Sequence, residues 1–436
     1  MSQYNHGVYI EEMATQLVTP RLAECALPVV VGTAPVHRLE GTPPVNDPRL
    51  IYNWPQFAAQ FGVPVAGDDP ADFTLYQMAN AYFSRYRTAP VVFINVFDPA
   101  RHTKAHPDGV SEEETPGVPR TLPDPRAVTE ADIIGGTDAR GRRSGLALVE
   151  EVFPRFRLTP GLIMAPRWSG DPTVAKAIET GCMAISGFFR ATGLIEIPDS
   201  VTRHTDAPAW LNDNNLTDAL GNTIAMYGHG LYAGQVEPGS IHLAGCIGGR
   251  DQSTEGVPYW SPSNFQIEAE GLVHHGEDLF LTPAEAAYLN GQGIVTGLNM
   301  IGGLRCWGDQ TTAYPGNTDP KDSSIPIRRM FTWVGNTLIQ TCWQYVSSPV
   351  RKRMIETVQD TVNYWLNGLV GRNYLLGGRC DFEGADNPTT DLLDGVVRWH
   401  IYLTPPQAGR ELRFILEYDP SYLDTLFGTT TATEVA

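Results

Sequence analysis

Between Gly145 and Ile197 the chain alternates helical and strand-like apolar patterns, and this alternation narrows the fold more than any other feature of the 436 residues. Leu146, Val149, Val152 and Phe153 recur at three- and four-residue spacings; an apolar run follows at 162–165, a helical pattern at 172–189 and a short strand at 194–197. The same order occurs upstream. A β-branched run at 27–32 precedes a helical stretch carrying Tyr76, Ala79, Tyr82, Phe83 and Tyr86, and a second buried strand at 91–97 ends in Asp98-Pro99. Strand, helix and strand in series predict βαβ units with parallel strand pairs. Residues 224–227 and 241–247 read as further strands of the same sheet.

Beyond residue 260 the order changes. Thr282, Pro283 and Glu285 combine an N-cap, a first-turn proline and a capping-box acid, and predict a helix that closes near Gly291. Two longer helices are expected over 327–345 and 349–370, the second capped by Ser348 and opened by Pro349. Met354, Val358, Thr361 and Trp365 form one stripe of it, with Ile355, Val362, Leu366 and Leu369 beside them. Residues 396–403 and 411–418 read as strands; in the latter Leu412, Phe414 and Leu416 alternate with Arg413 and Glu417. Helices followed by strands imply an α+β unit. The expected organisation is mixed α/β and α+β: an N-terminal arm (1–20), a βαβ segment (21–97), a polar, Pro-rich linker or surface excursion (98–143), an α/β domain (144–260), an α+β C-terminal domain (261–418) and a C-terminal arm (419–436). The 43 Gly and 34 Pro fit the many turns this requires.

The formal net charge of −18 argues against nucleic acid as a direct partner, since phosphate binding needs a basic face. Glu11 and Glu12 precede any apolar run, unlike a signal peptide, and no window of about 18 apolar residues predicts membrane insertion. Six isolated cysteines without a Cys-x-x-Cys pair read as reduced, buried thiols. No metal or cofactor is expected. His274 and His275 are adjacent and point apart, while His102 and His106 fall in the Pro-rich excursion, so structural or surface roles are favoured over metal binding. Asp213, Asn215 and Thr217 begin like a calcium loop, but Asp218 stands where its glycine belongs and Ile224 where its glutamate belongs. Gly228, Gly230 and Gly234 are spaced too widely for a dinucleotide fingerprint, and no Gly-x-Ser-x-Gly elbow exists. An enzyme built on the βαβ pattern therefore lacks its phosphate or nucleophile motif, and no catalytic residue is assigned.

One charge run is unusually placed. Arg351, Lys352 and Arg353 fall at the start of the second long helix, where cations meet the positive end of the helix dipole. Three solvated side chains are one reading; a negative partner surface is the other.

Tyr4-Asn5-His6-Gly7-Val8-Tyr9 followed by Val30-Val31-Gly32-Thr33-Ala34-Pro35 resembles the N-terminal signature of contractile phage tail sheath proteins. Further matching pieces follow in order: Asp132-Ile133-Ile134-Gly135-Gly136 with Arg143-Ser144-Gly145-Leu146, the strand Pro160-Gly161-Leu162-Ile163-Met164-Ala165-Pro166, and Ala244-Gly245 with Asp251, Gly256 and Ser261-Pro262-Ser263-Asn264. Gly293-Ile294-Val295, Arg328-Arg329 and Asn387-Pro388 continue the set toward the C-terminus. The resemblance implies a structural subunit, not an enzyme, that stacks as hexameric rings around a tail tube and contracts from a metastable extended state. It implies an inner, tube-facing C-terminal domain, more variable outer domains, and arms that add strands to neighbouring subunits. Its partners would be other copies of itself, the tube, and the baseplate and terminator proteins, in a virion tail assembled in the bacterial cytoplasm. On this basis Val8, Tyr9 and Ile10 are the candidate N-terminal donor strand, Tyr422, Leu423 and Leu426 belong to the C-terminal arm, and Arg351, Lys352 and Arg353 face the tube. The sheath of a pyocin, an extracellular injection device or a type VI secretion device is the alternative within the same resemblance.

Overall fold

The computed structural model describes residues 20–105 and 121–427. Val8, Tyr9, Ile10 and His106 lie outside the described residues. In chain order the elements begin with β1 (Pro28–Gly32), β2 (Arg49–Ile51), α1 (Trp54–Phe61), α2 (Thr74–Ala79), which runs on as a π-helical stretch through Asn80–Arg85, and β3 (Val91–Asn95). Then come β4 (Leu162–Met164), α3 (Pro172–Met183), β5 (Thr192–Glu196), β6 (Thr223–Tyr227), β7 (His229–Tyr232), β8 (Gln235–Glu237) and α4 (Gly239–Gln252). The chain continues through β9 (Gly271–His274), β10 (Glu277–Asp278), α5 (Pro283–Asn290), β11 (Ile294–Met300), β12 (Gly303–Trp307), α6 (Ile325–Cys342), α7 (Lys352–Gly371), β13 (Gly377–Asp381) and β14 (His400–Thr404).

Eight strands form one sheet in the order β12-β11-β6-β5-β4-β1-β3-β2. The inner strands β3, β1, β4, β5, β6 and β11 pair in parallel, and β2 and β12 close the two edges antiparallel. Every residue of β1, β3, β5 and β6 is buried, as expected of parallel strands covered by helices on both faces. The expected βαβ segment, the α/β domain and the strands at 294–307 thus share a single sheet, and the boundary drawn at residue 260 falls inside it. Apolar runs announce strands; they carry no information about which strands pair. A second, antiparallel sheet of order β8-β7-β9-β10 lies beside it.

Residues 241–247, read as a strand, are instead the buried middle of α4. Residues Gly239 to Gly248 are all buried, so the helix is enclosed around its circumference and shows no amphipathic period. Its glycines admit aromatic rings against the backbone: a Cβ on Gly245 would lie 2.4 Å from the Tyr86 ring, and one on Gly248 2.4 Å from the Tyr82 hydroxyl. At the helix start the buried Glu196 carboxylate, at the carboxyl end of β5, accepts from the Ser240 N–H at 3.0 Å and from its hydroxyl, as the helix dipole favours.

Other expectations shift locally. The pattern at 145–156 is 3-10 over Gly145–Glu151 and α-helical only over Val152–Phe156. The helix at 172–189 ends at Met183, ahead of Ser186 and Gly187 at positive φ. In the 98–143 excursion His102 is buried; its Nδ1 accepts from the Asp98 N–H at 2.9 Å and its Nε2 lies 3.4 Å from Asp132, a structural role.

A smaller core forms around α6, α7 and the two-stranded ribbon β13–β14, with Met330, Trp333, Val334, Val362, Trp365, Leu366, Leu369, Leu375 and Cys380 buried together. Of the stripe positions read from sequence on the second long helix, Val358, Thr361, Val362, Trp365, Leu366 and Leu369 are buried, and the last four belong to this core.

Gly245→Leu should destabilise the protein by about 1–3 kcal/mol or more through overpacking against Tyr86. Gly335→Ala in α6, whose added Cβ meets no atom within 4 Å, should stabilise it by about 0.5–1 kcal/mol. Thermal unfolding followed by circular dichroism reads both, and equal effects from the two substitutions would contradict the packing described.

Candidate assembly surfaces

The chain enters the fold as an extended segment laid along α6. Arg329, Trp333, Thr337 and Thr341 stand four residues apart, hence on one face of that helix. The Arg329 guanidinium donates to the Cys25 carbonyl at 3.0 Å and the Trp333 indole to the Ala23 carbonyl at 2.9 Å. Thr337 and Thr341 hydroxyls accept from the backbone N–H groups of Ala23 and Arg21 at 3.1 and 3.0 Å. The segment runs antiparallel to the helix, so its first bonded residue, Arg21, lies at the carboxyl end of α6. There Trp343 packs edge-on against Phe188, ring centres 5.2 Å apart, and both rings are exposed.

Arg329 also holds the segment to α4. Its guanidinium makes a bidentate, buried ion pair with Asp251, and the Cys25 thiol donates to the same carboxylate at 3.3 Å. Burial opposes the charge on Arg329, but Asp251 more than offsets it and holds the guanidinium above its ordinary pKa. Burial and Asp251 together push the Cys25 thiol well up, so it stays protonated. Asp251 and Arg329 appear in the sequence motifs, while Thr337 and Thr341 were not singled out. Their signal was two threonines four residues apart, in line with Trp333.

The ribbon β13–β14 has two chemically different edges. The Asn363 side chain of α7 accepts from the Cys380 N–H at 2.7 Å and donates to the Cys380 carbonyl at 2.9 Å. In an antiparallel ladder both backbone groups of a residue face the same side, so Asn363 occupies the outer edge of β13. Ile401 lies opposite Cys380 and Leu403 opposite Gly378, so the backbone groups of these β14 residues face outward on the other edge, where no described strand pairs with them. A two-stranded ribbon with an open edge is a template for further strands.

The expected strand at 411–418 has no ladder partner among the described residues. Phe414, Ile415 and Leu416 are 86%, 84% and 95% exposed. The alternation is present, but a strand exists only with a neighbour, and the described residues supply none. The C-terminal arm, expected to be extended through Phe427, turns instead into a 3-10 stretch at Pro420–Phe427. Asp419 starts it by accepting from the Ser421 N–H and hydroxyl at 2.9 and 2.6 Å ahead of Pro420. Tyr422 and Leu423 are exposed there, and Leu426 falls in the same stretch.

The second long helix begins at Lys352, with Arg351 at the N-cap; Ser348, expected to cap it, sits before the helix with its hydroxyl 3.5 Å from the Gln344 carbonyl. Arg351, Lys352 and Arg353 are all exposed, and Lys352 reaches Glu356 at 3.6 Å. The bases therefore lie still closer to the positive helix end than the sequence placed them. The three bases lie together at the N-cap and first two positions of α7.

No helix among the described residues is long and apolar enough to cross a membrane. No family model matches the chain. It is 27% identical to the tail sheath protein of Burkholderia phage BcepMu, over 98% of this chain and 99% of that one. It is 26% identical to the major tail sheath protein of Serratia phage KSP20, over 39% of this chain and 43% of that one. Its fold matches the sheath of an extracellular contractile injection system, the PVC sheath complex in its contracted state, with a TM-score of 0.64 over 97% of this chain and 99% of that one at 15% identity. These relatives are structural tail sheath proteins, not enzymes.

Removing either member of the Arg329–Asp251 pair should cost about 3–5 kcal/mol, because the other charge is left buried and unpaired. Arg329→Met with Asp251→Leu should cost less than the sum of the single changes, as read from a double-mutant cycle in chemical denaturation. Additive effects would show that the pair is not coupled.

Proposed function

We infer that this relative of the contractile tail sheath proteins is the polymerising subunit of a phage tail sheath. Copies stack as hexameric rings around a tail tube, are held extended by the baseplate, end at a terminator protein, and contract to drive the tube through the target envelope. The observation that carries the reading is the end-to-end similarity to a phage tail sheath protein. The exposed, unpaired 411–418 segment beside a ribbon with an open β14 edge supports it, because each chain then offers what another lacks. Sequence relatives from phages favour a phage tail over a pyocin or extracellular injection device, which remains the second reading on the fold match.

A donated strand of five or six residues forms several backbone hydrogen bonds, each contributing about 0.5–1.5 kcal/mol net. Head-to-tail contacts whose rotation does not close generate a helix, so strand donation between successive copies builds a tube. Such links persist while the bodies they join rotate, giving one polymer two packings. The extended packing is then kept by a barrier. Residues 1–20 and 419–436 act as the arms, with Val8, Tyr9 and Ile10 as the N-terminal donor strand and the 411–418 segment leading into Tyr422, Leu423 and Leu426 of the C-terminal arm, and α7 turns Arg351, Lys352 and Arg353 toward an acidic tube surface. Assembly takes place in the host cytoplasm and the product is the virion tail.

Two outcomes are expected. Deleting residues 1–12 should leave a folded monomer that forms no striated tubes in negative-stain electron micrographs; tubes of ordinary length would refute the arm role. Changing Arg351, Lys352 and Arg353 all to Glu should abolish co-sedimentation with tube protein at physiological salt while self-assembly persists; unchanged co-sedimentation would refute the tube contact.

A further inference from the structure

Asp199, His229 and His274 come from the loop after β5, the first residue of β7 and the last residue of β9, and their side chains converge where the small sheet meets the carboxyl end of the large one. Asp199 Oδ1 lies 3.5 Å from His229 Nε2 and 3.4 Å from His274 Nδ1, and the three candidate ligand atoms all lie within 4.8 Å of one another. Separations of this size are long for N–H···O hydrogen bonds. The two separations to Asp199 match the edge of a tetrahedron, about 3.4 Å, whose centre lies about 2.0–2.1 Å from each ligand atom.

The tautomer of His274 is fixed by its other nitrogen. Nε2 lies 2.7 Å from the Val201 carbonyl, which only accepts, so Nε2 carries a proton and, in the neutral imidazole, Nδ1 presents a lone pair. The His274 side chain is 2% exposed, and its Nδ1 has no hydrogen-bond partner. A buried lone pair aimed at a carboxylate oxygen is repulsive unless positive charge lies between them. An imidazole that donates its remote N–H to a backbone carbonyl is the usual support for a metal-bound histidine. Asp199 is oriented in turn by the His275 N–H, 2.7 Å from its Oδ1. One contact must yield: His229 Nδ1 accepts from the Gly239 N–H at 3.2 Å, and His229 has to shift its proton to Nδ1 to offer Nε2. Gly239 is the first residue of α4, so its N–H has no partner within the helix; it is buried, and binding through Nε2 leaves it facing the Nδ1 proton, a cost the metal bond has to exceed. Asp199 and His229 also line a cleft of about 360 Å³, which gives an ion a path from solvent.

We propose that Asp199, His229 and His274 bind one divalent transition-metal ion of the zinc class, with a fourth position open to the cleft. Two imidazoles and one carboxylate suit zinc, cobalt, nickel or copper rather than magnesium or calcium. The ion joins three segments at one point and ties the small sheet to the large one.

The test uses the full-length, untagged chain stripped with a chelator and dialysed. Titration with Co²⁺ should give one equivalent of a visible absorption band of tetrahedral intensity, and Zn²⁺ should displace it. His274→Gln and His229→Gln should weaken binding by at least about tenfold. Asp199→Asn, at a half-exposed position, removes a ligand with least effect on folding and should weaken it similarly. No band at millimolar Co²⁺ from the folded chain, or a band unchanged by all three substitutions, overturns the proposal.

Discussion

The two hydrophobic cores are joined through one buried charge pair. Arg329 stands on the helix that organises the smaller core, Asp251 near the end of the helix packed on the large sheet, and the Cys25 carbonyl completes the guanidinium's bonding. An isolated charge at either position would be prohibitively expensive to bury, so each group exists there only because the other does. The contact consequently couples the segment 21–25, α4 and α6, whose buried polar groups are all satisfied only when the three are in place together.

That constraint has a mechanical consequence in the proposed polymer. The first described residues are not a loose tail; four side chains of α6 hold the segment at alternate backbone groups, over the length of the helix. Tension applied to the N-terminal arm by a neighbouring copy passes into α6 and, through Arg329 and Asp251, into the large sheet. At the other end, the chain leaves β14, whose partner strand is closed on its far side by Asn363. Both arms are thus rooted in the same small core. A link made by one copy and a link received from another act on one rigid unit, as a device that rotates without coming apart requires.

The legible part of this fold is the part in which local pattern and environment coincide. The inner parallel strands are covered on both faces, and the resulting continuous apolar runs mark β1, β3, β4, β5 and β6 in the sequence. The Thr282-Pro283-Glu285 signature is local and forms the capping box it announces. Helix α4 was misread because complete burial and close-packed glycines erase the period that distinguishes helix from strand. The pairing of Asp251 with Arg329, the Asn363 clamp and the meeting of Asp199, His229 and His274 each join residues distant in sequence, and none has a spacing that betrays it. The adjacent His274-His275 pair drew attention for its proximity, yet the partners of His274 come from other strands.

The segment at 411–418 inverts the usual failure. Its alternation has the pattern of a strand, with no partner among the described residues. Exposed leucine, phenylalanine and isoleucine in a row are an aggregation hazard for a monomer, and a protein carrying 18 net negative charges has a means of limiting it. Like-charged copies repel at long range, but the repulsion is screened beyond about 8 Å at physiological salt, whereas a backbone ladder acts only at contact. Charge therefore slows random encounters without weakening a docked strand. In the proposed polymer, association is then selective for the one geometry in which an open edge and an unpaired strand meet, and that selectivity would separate an ordered tube from an aggregate.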